Sequence, residues 1–325
     1  MKKLFRTYAL LAAAVVAVAL LSVSCIKDSD LTAGEKASVT MTFTTRVSDN
    51  VTAENLLDNE QMQTLRVIVA RSGTNDIIYN VSYDIQPGEK QKVIHFSELT
   101  VNKDGENFDF YAIANEEAFL SDGESLEGKN VDLDLSALKS RILRKDFNNP
   151  ALSLIPQAAF ETIKVGPNEQ KKAQMKLLFP LVKVVLNFDN QTGEPVGLTN
   201  VQIDGIADQG YLFKDVQREY PQAGMRTVKF GTDGALTVPD GEVDDVAPFV
   251  RYLYPWKHDD GWKLTATWGS SPHEAVFKVN NEVLKELQHG QQLNVNVLLM
   301  VNKQVTINWQ VVDWKPVTND VPSFN

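Results

Sequence analysis

Ser38-Val39-Thr40-Met41-Thr42-Phe43-Thr44-Thr45 alternates apolar and hydroxyl-bearing side chains residue by residue. In an extended chain successive side chains point to opposite faces, so Val39, Met41 and Phe43 share one face and Thr40, Thr42 and Thr44 the other. The stretch therefore predicts a β-strand with one buried face. Further strands are predicted at Leu65–Ala70, Ile77–Tyr83, Lys92–Phe96 and Phe108–Asn115, with turns at Ser72-Gly73, Pro87-Gly88 and Asp104-Gly105. One helix interrupts the series at about Leu135–Arg144, where Leu135, Leu138, Ile142 and Leu143 recur at helical spacing.

A second series of strands begins at about Val182. It runs through Val182–Phe188, Val201–Ile206, Thr227–Phe230, Phe249–Tyr254, Trp262–Trp268, Glu274–Val279, Leu293–Met300 and Val305–Trp314. Turns fall at Gln191-Thr192-Gly193, Asp233-Gly234, Asp240-Gly241 and Asp260-Gly261, and a single helical turn is expected near Glu282–Leu287. The boundary between the halves is placed at Phe179-Pro180, behind a basic polar segment, Glu169–Lys176, because proline disfavours helix in the residue before it. Short strands at regular spacing predict an all-β chain of two tandem antiparallel β-sandwich domains, 38–179 and 180–325, with one short helix in the first. The halves show no repeat that can be aligned.

The chain of 325 residues opens with Lys2, Lys3 and Arg6, followed by an apolar run from Tyr8 to Val23 and a single cysteine, Cys25. A basic tip, an apolar stretch and small residues make a secretory signal, and Ser22-Val23-Ser24-Cys25 resembles the lipobox of bacterial lipoproteins. Residues 1–24 are then a lipoprotein signal peptide, Cys25 the lipidated first residue, and 25–37 a polar linker. The alternatives are a plain signal peptide with an incidental cysteine, or a short membrane anchor. Loss of the signal leaves 29 Lys+Arg against 42 Asp+Glu, a formal charge of −13. Nucleic acid is excluded as a partner, since its recognition needs a basic footprint.

The residues do not argue for an enzyme, a cofactor or a metal. The four histidines, His95, His258, His273 and His289, are scattered without ligand spacing, and one cysteine cannot assemble a zinc site. Asp132 and Asp134 alternate with Val131, Leu133 and Leu135 and are read as one solvated strand face. Asp240, Glu242, Asp244 and Asp245 form an acidic loop without the EF-hand pattern. Neither a phosphate-cradling glycine loop nor a GxSxG elbow is present. All five tryptophans, Trp256, Trp262, Trp268, Trp309 and Trp314, fall in the second half. Trp262 and Trp268 are assigned to the core, and Trp256, beside a charged loop, is expected to be exposed.

Several short segments, in their order, are similar to those of Bacteroidetes fimbrillins, the subunits of type V pili. They are the strand ending Thr44-Thr45-Arg46; Asp58-Asn59-Glu60 leading into Leu65-Arg66-Val67-Ile68-Val69; Phe110-Tyr111-Ala112-Ile113-Ala114-Asn115; and Leu154-Ile155-Pro156. In the second half they are Pro180-Leu181-Val182-Lys183-Val184, Val305-Thr306-Ile307-Asn308-Trp309 and Asp313-Trp314. Gln157-Ala158 after the proline departs from the usual pattern. The resemblance implies two transthyretin-like sandwiches, export as an outer-membrane lipoprotein, and assembly into fimbriae by strand exchange in support of adhesion. It implies lipid on Cys25, cleavage after Arg46, and Val39, Met41 and Phe43 as the strand that cleavage removes. Val305, Ile307, Trp309 and Val311 form a terminal strand that is either a donor or an ordinary last strand. The implied partners are other fimbrial subunits, the outer membrane through Cys25, and a host or bacterial surface ligand. A shaft, tip or anchor role stays open. The alternative is a glycan-binding outer-membrane lipoprotein of a nutrient-uptake system, for which exposed coplanar aromatics near Trp256 are the expected mark.

Overall fold

A computed structural model of the chain describes residues 34–45, 56–89, 91–127, 133–148, 154–213, 220–221, 223–241 and 248–314. From Glu35 onward the described residues belong to one compact unit. The first half holds β1 (Glu35–Thr45), β2 (Thr64–Arg71), β3 (Ile77–Asp84), β4 (Gln91–Val101), β5 (Glu106–Ala114), β6 (Ile142–Leu143), β7 (Gln157–Val165) and β8 (Gln170–Leu177). Two sheets form, in the orders β4-β1-β8 and β3-β2-β5-β7. Their inner faces share one core, in which Val39, Met41 and Phe43 meet Leu65, Val67 and Val69 of β2 and Phe108 and Phe110 of β5.

The apolar pattern of each strand follows from how many of its faces are covered. β2 has its odd residues in this core, while Ile68 and Ala70 on the opposite face enter a second cluster with Leu126, Leu135 and Leu138. A strand covered on both faces reads as a continuous apolar run and not as an alternation. That is the sequence of Leu65–Ala70, broken by Arg66, whose guanidinium is held by Glu116 and Asn80.

The helix of the first half is shorter than its spacing predicts. It spans α1 (Leu135–Lys139) and ends where the Ser140 hydroxyl donates back to the Ser136 carbonyl at 2.9 Å. Ile142 and Leu143 are not helical; they form β6. Asp134 does not lie on a strand face either: its carboxylate caps α1, accepting from the Ser136 and Ala137 amides at 2.8 and 3.2 Å. Asp132 lies outside the described residues.

Among the described residues the second half holds fourteen strands. They are β9 (Val182–Gln191), β10 (Val196–Ala207), β11 (Gly210–Tyr211), β12 (Met225–Lys229), β13 (Leu236–Val238), β14 (Phe249–Leu253), β15 (Trp256–Lys257), β16 (Lys263–Trp268), β17 (Ser271–Val276), β18 (Lys278–Val279), β19 (Glu282–Val283), β20 (Glu286–Leu287), β21 (Gln291–Met300) and β22 (Val305–Asp313). The sheets run β14-β9-β21-β22 and β12-β10-β16-β17, with β13 beside β10. The helical turn expected near Glu282–Leu287 is instead the short strands β19 and β20, paired with β18 and β15.

The halves share a topology that their sequences do not reveal. β9 lies between antiparallel β14 and parallel β21, as β1 lies between antiparallel β4 and parallel β8.

The two sandwiches are not joined by a solvated linker at Phe179-Pro180. Phe179 and Leu181 are fully buried in the cluster that also holds Tyr252, Tyr254 and Trp314. Trp314 stacks on Phe179 at 4.1 Å and on Tyr252 at 5.7 Å between ring centroids. Beside this stack Lys183 of β9 meets Glu60, from the short turn Asp58–Glu60 before β2, at 2.6 Å with both side chains 0% exposed. The Glu60 carboxylate also accepts from the Tyr252 hydroxyl at 2.8 Å, and Gln157 donates to the Glu60 carbonyl at 2.9 Å. Burial pushes the Lys183 ammonium below its ordinary value, opposed by Glu60, and burial with the Glu60 charge pushes the Tyr252 phenol up.

A buried pair gains little over apolar residues of the same size, but loss of one partner strands a charge. Lys183→Met is therefore expected to lower the unfolding free energy by about 3–5 kcal/mol, and Glu60→Gln/Lys183→Met to recover most of that loss. Equilibrium urea unfolding of the two variants checks it.

Candidate functional site

β1 is the segment on which the sequence places a function, and the fold sets it at the centre of its sheet. Antiparallel to β4, it pairs from Glu35↔Val101 to Thr44↔Gln91; parallel to β8, it pairs from Ser38↔Gln170 to Thr45↔Leu177. The register to β4 shifts between Ala37 and Val39, where Glu98 takes a positive φ of 61° and forms a bulge. Beyond the ladders, Ser38 donates its amide to the Glu169 carbonyl at 2.9 Å, and Asn168 donates to the Lys36 carbonyl at 3.0 Å. Both edges of the strand are satisfied.

The alternating side chains divide as the sequence predicts. Val39, Met41 and Phe43 are each 0% exposed, while Thr40, Thr42 and Thr44 stay partly open on the outer face. Thr40 shares a hydrogen bond of 3.0 Å with His95, its neighbour on β4. Burying three such apolar side chains is worth about 5–9 kcal/mol, against a typical total stability of about 5–15 kcal/mol. The first sandwich therefore cannot lose β1 and leave its place empty.

The partner that makes β1 central was not legible in advance. β8 occupies the stretch read above as a basic polar segment. Its inner face begins with Lys171 and Ala173, and only Met175 and Leu177 are buried. The Lys171 ammonium turns back to the Lys164 carbonyl at 2.7 Å. Three apolar positions, Ala173, Met175 and Leu177, among lysines and glutamines give only a weak strand signal, and the segment is a strand because β1 offers it a ladder.

Arg46, the residue after β1, and Cys25 lie outside the described residues. Val305, Ile307, Trp309 and Val311 are all on β22, at the edge of the second half's sheet and apart from β1. They are half-buried against the core of that half, and β22 pairs with β21 through nine residues. The Trp309 indole donates to the Lys278 carbonyl at 2.7 Å and packs edge-on against Phe277.

The aromatics do not form a flat platform at Trp256. That residue is half-buried, packs against the cluster between the halves, and meets Tyr220 at 57°. Trp262 and Trp314 are buried, and Trp268 is half-buried on the core. Asp240 accepts from the Gly193 amide at 2.9 Å; Glu242, Asp244 and Asp245 lie outside the described residues. Among the described residues no three His, Cys, Asp or Glu side chains converge on one point. Sequence reasoning missed the Glu60–Lys183 pair. Its signal was a lone lysine inside the apolar run Leu181–Leu186, since a lysine buried in a strand needs a partner.

No protein-family model matches the sequence, and no curated protein matches it. Solved structures do. A candidate cell adhesion protein from Parabacteroides distasonis aligns with a TM-score of 0.54 at 14% identity, over 89% of this chain and 99% of that one. The tip fimbrial protein Mfa3 from Porphyromonas gingivalis, truncated at its C-terminus, gives 0.53 at 11% identity, over 85% and 100%. A fimbrilin, FimA, from the same organism gives 0.55 at 9% identity, over 87% and 99%. At these identities the likeness is one of architecture: the chain has the β-sandwich fold of Bacteroidetes fimbrial proteins.

Proposed function

We propose that the chain is a structural subunit of a surface fimbria, serving adhesion and assembled by strand exchange at the place of β1. One observation supports this reading above the others. β1 is the first strand among the described residues, it is bonded on both edges, and it carries three fully buried side chains. Cleavage after Arg46 would free that strand from the rest of the chain, and the slot between β4 and β8 would demand another. An extended segment of a neighbouring subunit, alternating apolar and polar residues, would supply the backbone bonds and the side chains together.

Residues 1–24 serve in this reading as an export signal and Cys25 as the lipid attachment to the outer membrane. The lipid leaves with residues 25–46 after the cut, so the anchor serves delivery. The sandwiches of 38–179 and 180–325 stay joined, because Glu60 lies downstream of Arg46 and keeps its bond to Lys183. Val305, Ile307, Trp309 and Val311 would have to leave a nine-residue ladder to act as donor. The proposal therefore takes the donor from another subunit and leaves β22 in its own sheet.

Two measurements test it. An arginine-specific protease is expected to cut the folded protein once, after Arg46, and Arg46→Ala to abolish that cut, as read by mass spectrometry of the fragments. The cut protein, stripped of the residues up to Arg46 in denaturant and refolded with a labelled peptide of residues 35–45, is then expected to retain that peptide through gel filtration, and to bind the same peptide bearing Met41→Asp at least about a hundredfold more weakly, because a carboxylate would be buried unpaired. Cut protein that takes up neither peptide rules the slot out.

A further inference from the structure

Edge strands offer unpaired amide and carbonyl groups to any passing chain, and folded proteins blunt them with lysine, proline, bulges or shortness. β4 carries Lys92 and the Glu98 bulge, and β8 has Lys171, Lys172 and Lys176. β7 holds Glu161 and Lys164, and β17 holds Pro272. β12 and β14 are five residues each and contain arginine, and β3 is bulged against β2. The remaining edges are two or three residues long. Among the described residues β22 alone runs nine residues in unbroken register with no lysine, arginine, proline or bulge.

Two hydrogen bonds that flank its ladder decide which residues face outward. The Met300 amide donates to the Gln304 carbonyl at 3.0 Å, and the Trp314 amide to the Gly290 carbonyl at 2.7 Å. Both pairs continue the β21–β22 register, and hydrogen-bonded pairs recur at every second residue of an antiparallel ladder. Thr306, Asn308, Gln310 and Val312 therefore bond to β21. The backbone groups of Val305, Ile307, Trp309, Val311 and Asp313 are turned to the open edge.

We propose that this edge pairs with β22 of a second copy of the chain, antiparallel about a two-fold axis at Trp309. That register overlaps all nine residues and joins outward-facing backbone to outward-facing backbone at every rung. Trp309 opposes itself and Ile307 opposes Val311, so the half-buried apolar rows of the two copies continue one another. On the other face Asn308 opposes Gln310 and Thr306 opposes Val312. No charge meets a like charge, although the chain as a whole carries −10. The Trp309 ring is held in place by its bond to Lys278 before any partner arrives. An isologous contact of this kind closes at a dimer. It uses β22 in its own sheet and does not depend on the fate of β1.

Sedimentation equilibrium of the full chain over a dilution series tests it. The wild type is expected to reach the mass of two chains. Asn308→Lys/Gln310→Lys, both at exposed positions, sets lysine opposite lysine twice and is expected to weaken the dimer about tenfold. Asn308→Lys/Gln310→Glu sets lysine opposite glutamate and is expected to keep wild-type affinity. A wild type of one-chain mass throughout overturns the proposal, the edge then being closed by residues 315–325 or by the strand of another protein. Equal affinity of the two double variants overturns it as well.

Discussion

A strand inside a sheet must satisfy two rows of backbone groups, and β1 does so with an antiparallel neighbour on one side and a parallel one on the other. The parallel pairing is the more consequential. It brings β1 beside β8, more than a hundred residues on, so the core of the first half is closed by strands that are far apart in the chain. Because Val39, Met41 and Phe43 fill that core, the strand and its slot are energetically inseparable, and whatever replaces β1 must reproduce both its bonds and its alternation. The strand exchange proposed above would meet that constraint.

The second feature that gives the slot its setting is the buried contact between the halves. Glu60 stands shortly before β2, on the far side of Arg46 from β1, and its carboxylate is held by Lys183 and Tyr252 of the other sandwich. The described chain downstream of Arg46 is thus pinned to the second half, while β1 is held to the first sandwich by its ladders, its core contacts and side-chain bonds such as Thr40 to His95 and Lys36 to Glu98. The stack of Phe179, Trp314 and Tyr252 seals the same contact against water, in which the ion pair would count for little.

The all-β character and most strands could be read directly, for reasons visible residue by residue. One-sided burial writes itself as alternation, as in β1, and two-sided burial as an apolar run, as in β2 and β9. β8 escaped because its inner face starts with Lys171 and Ala173, and the helix was drawn too long because Ile142 and Leu143 keep helical spacing while pairing with Gly210 and Tyr211. Trp256, placed on the surface by its charged neighbours, is half covered by Tyr220 and the inter-sandwich cluster, elements remote from it in the chain.

What the sequence by itself determined was local: the position of most of the long strands, which face of β1 is apolar, and that Arg46 follows it directly. The tertiary structure alone decided that β1 is central, that β8 is its parallel partner, that Lys183 is paired, and that β22 ends its sheet among the described residues. Side-chain periodicity records how many faces of a strand are covered, because covering a face selects apolar residues along it. It carries no record of which strand lies on either edge, since backbone groups are the same in every residue but proline, and only the packed chain assigns those partners.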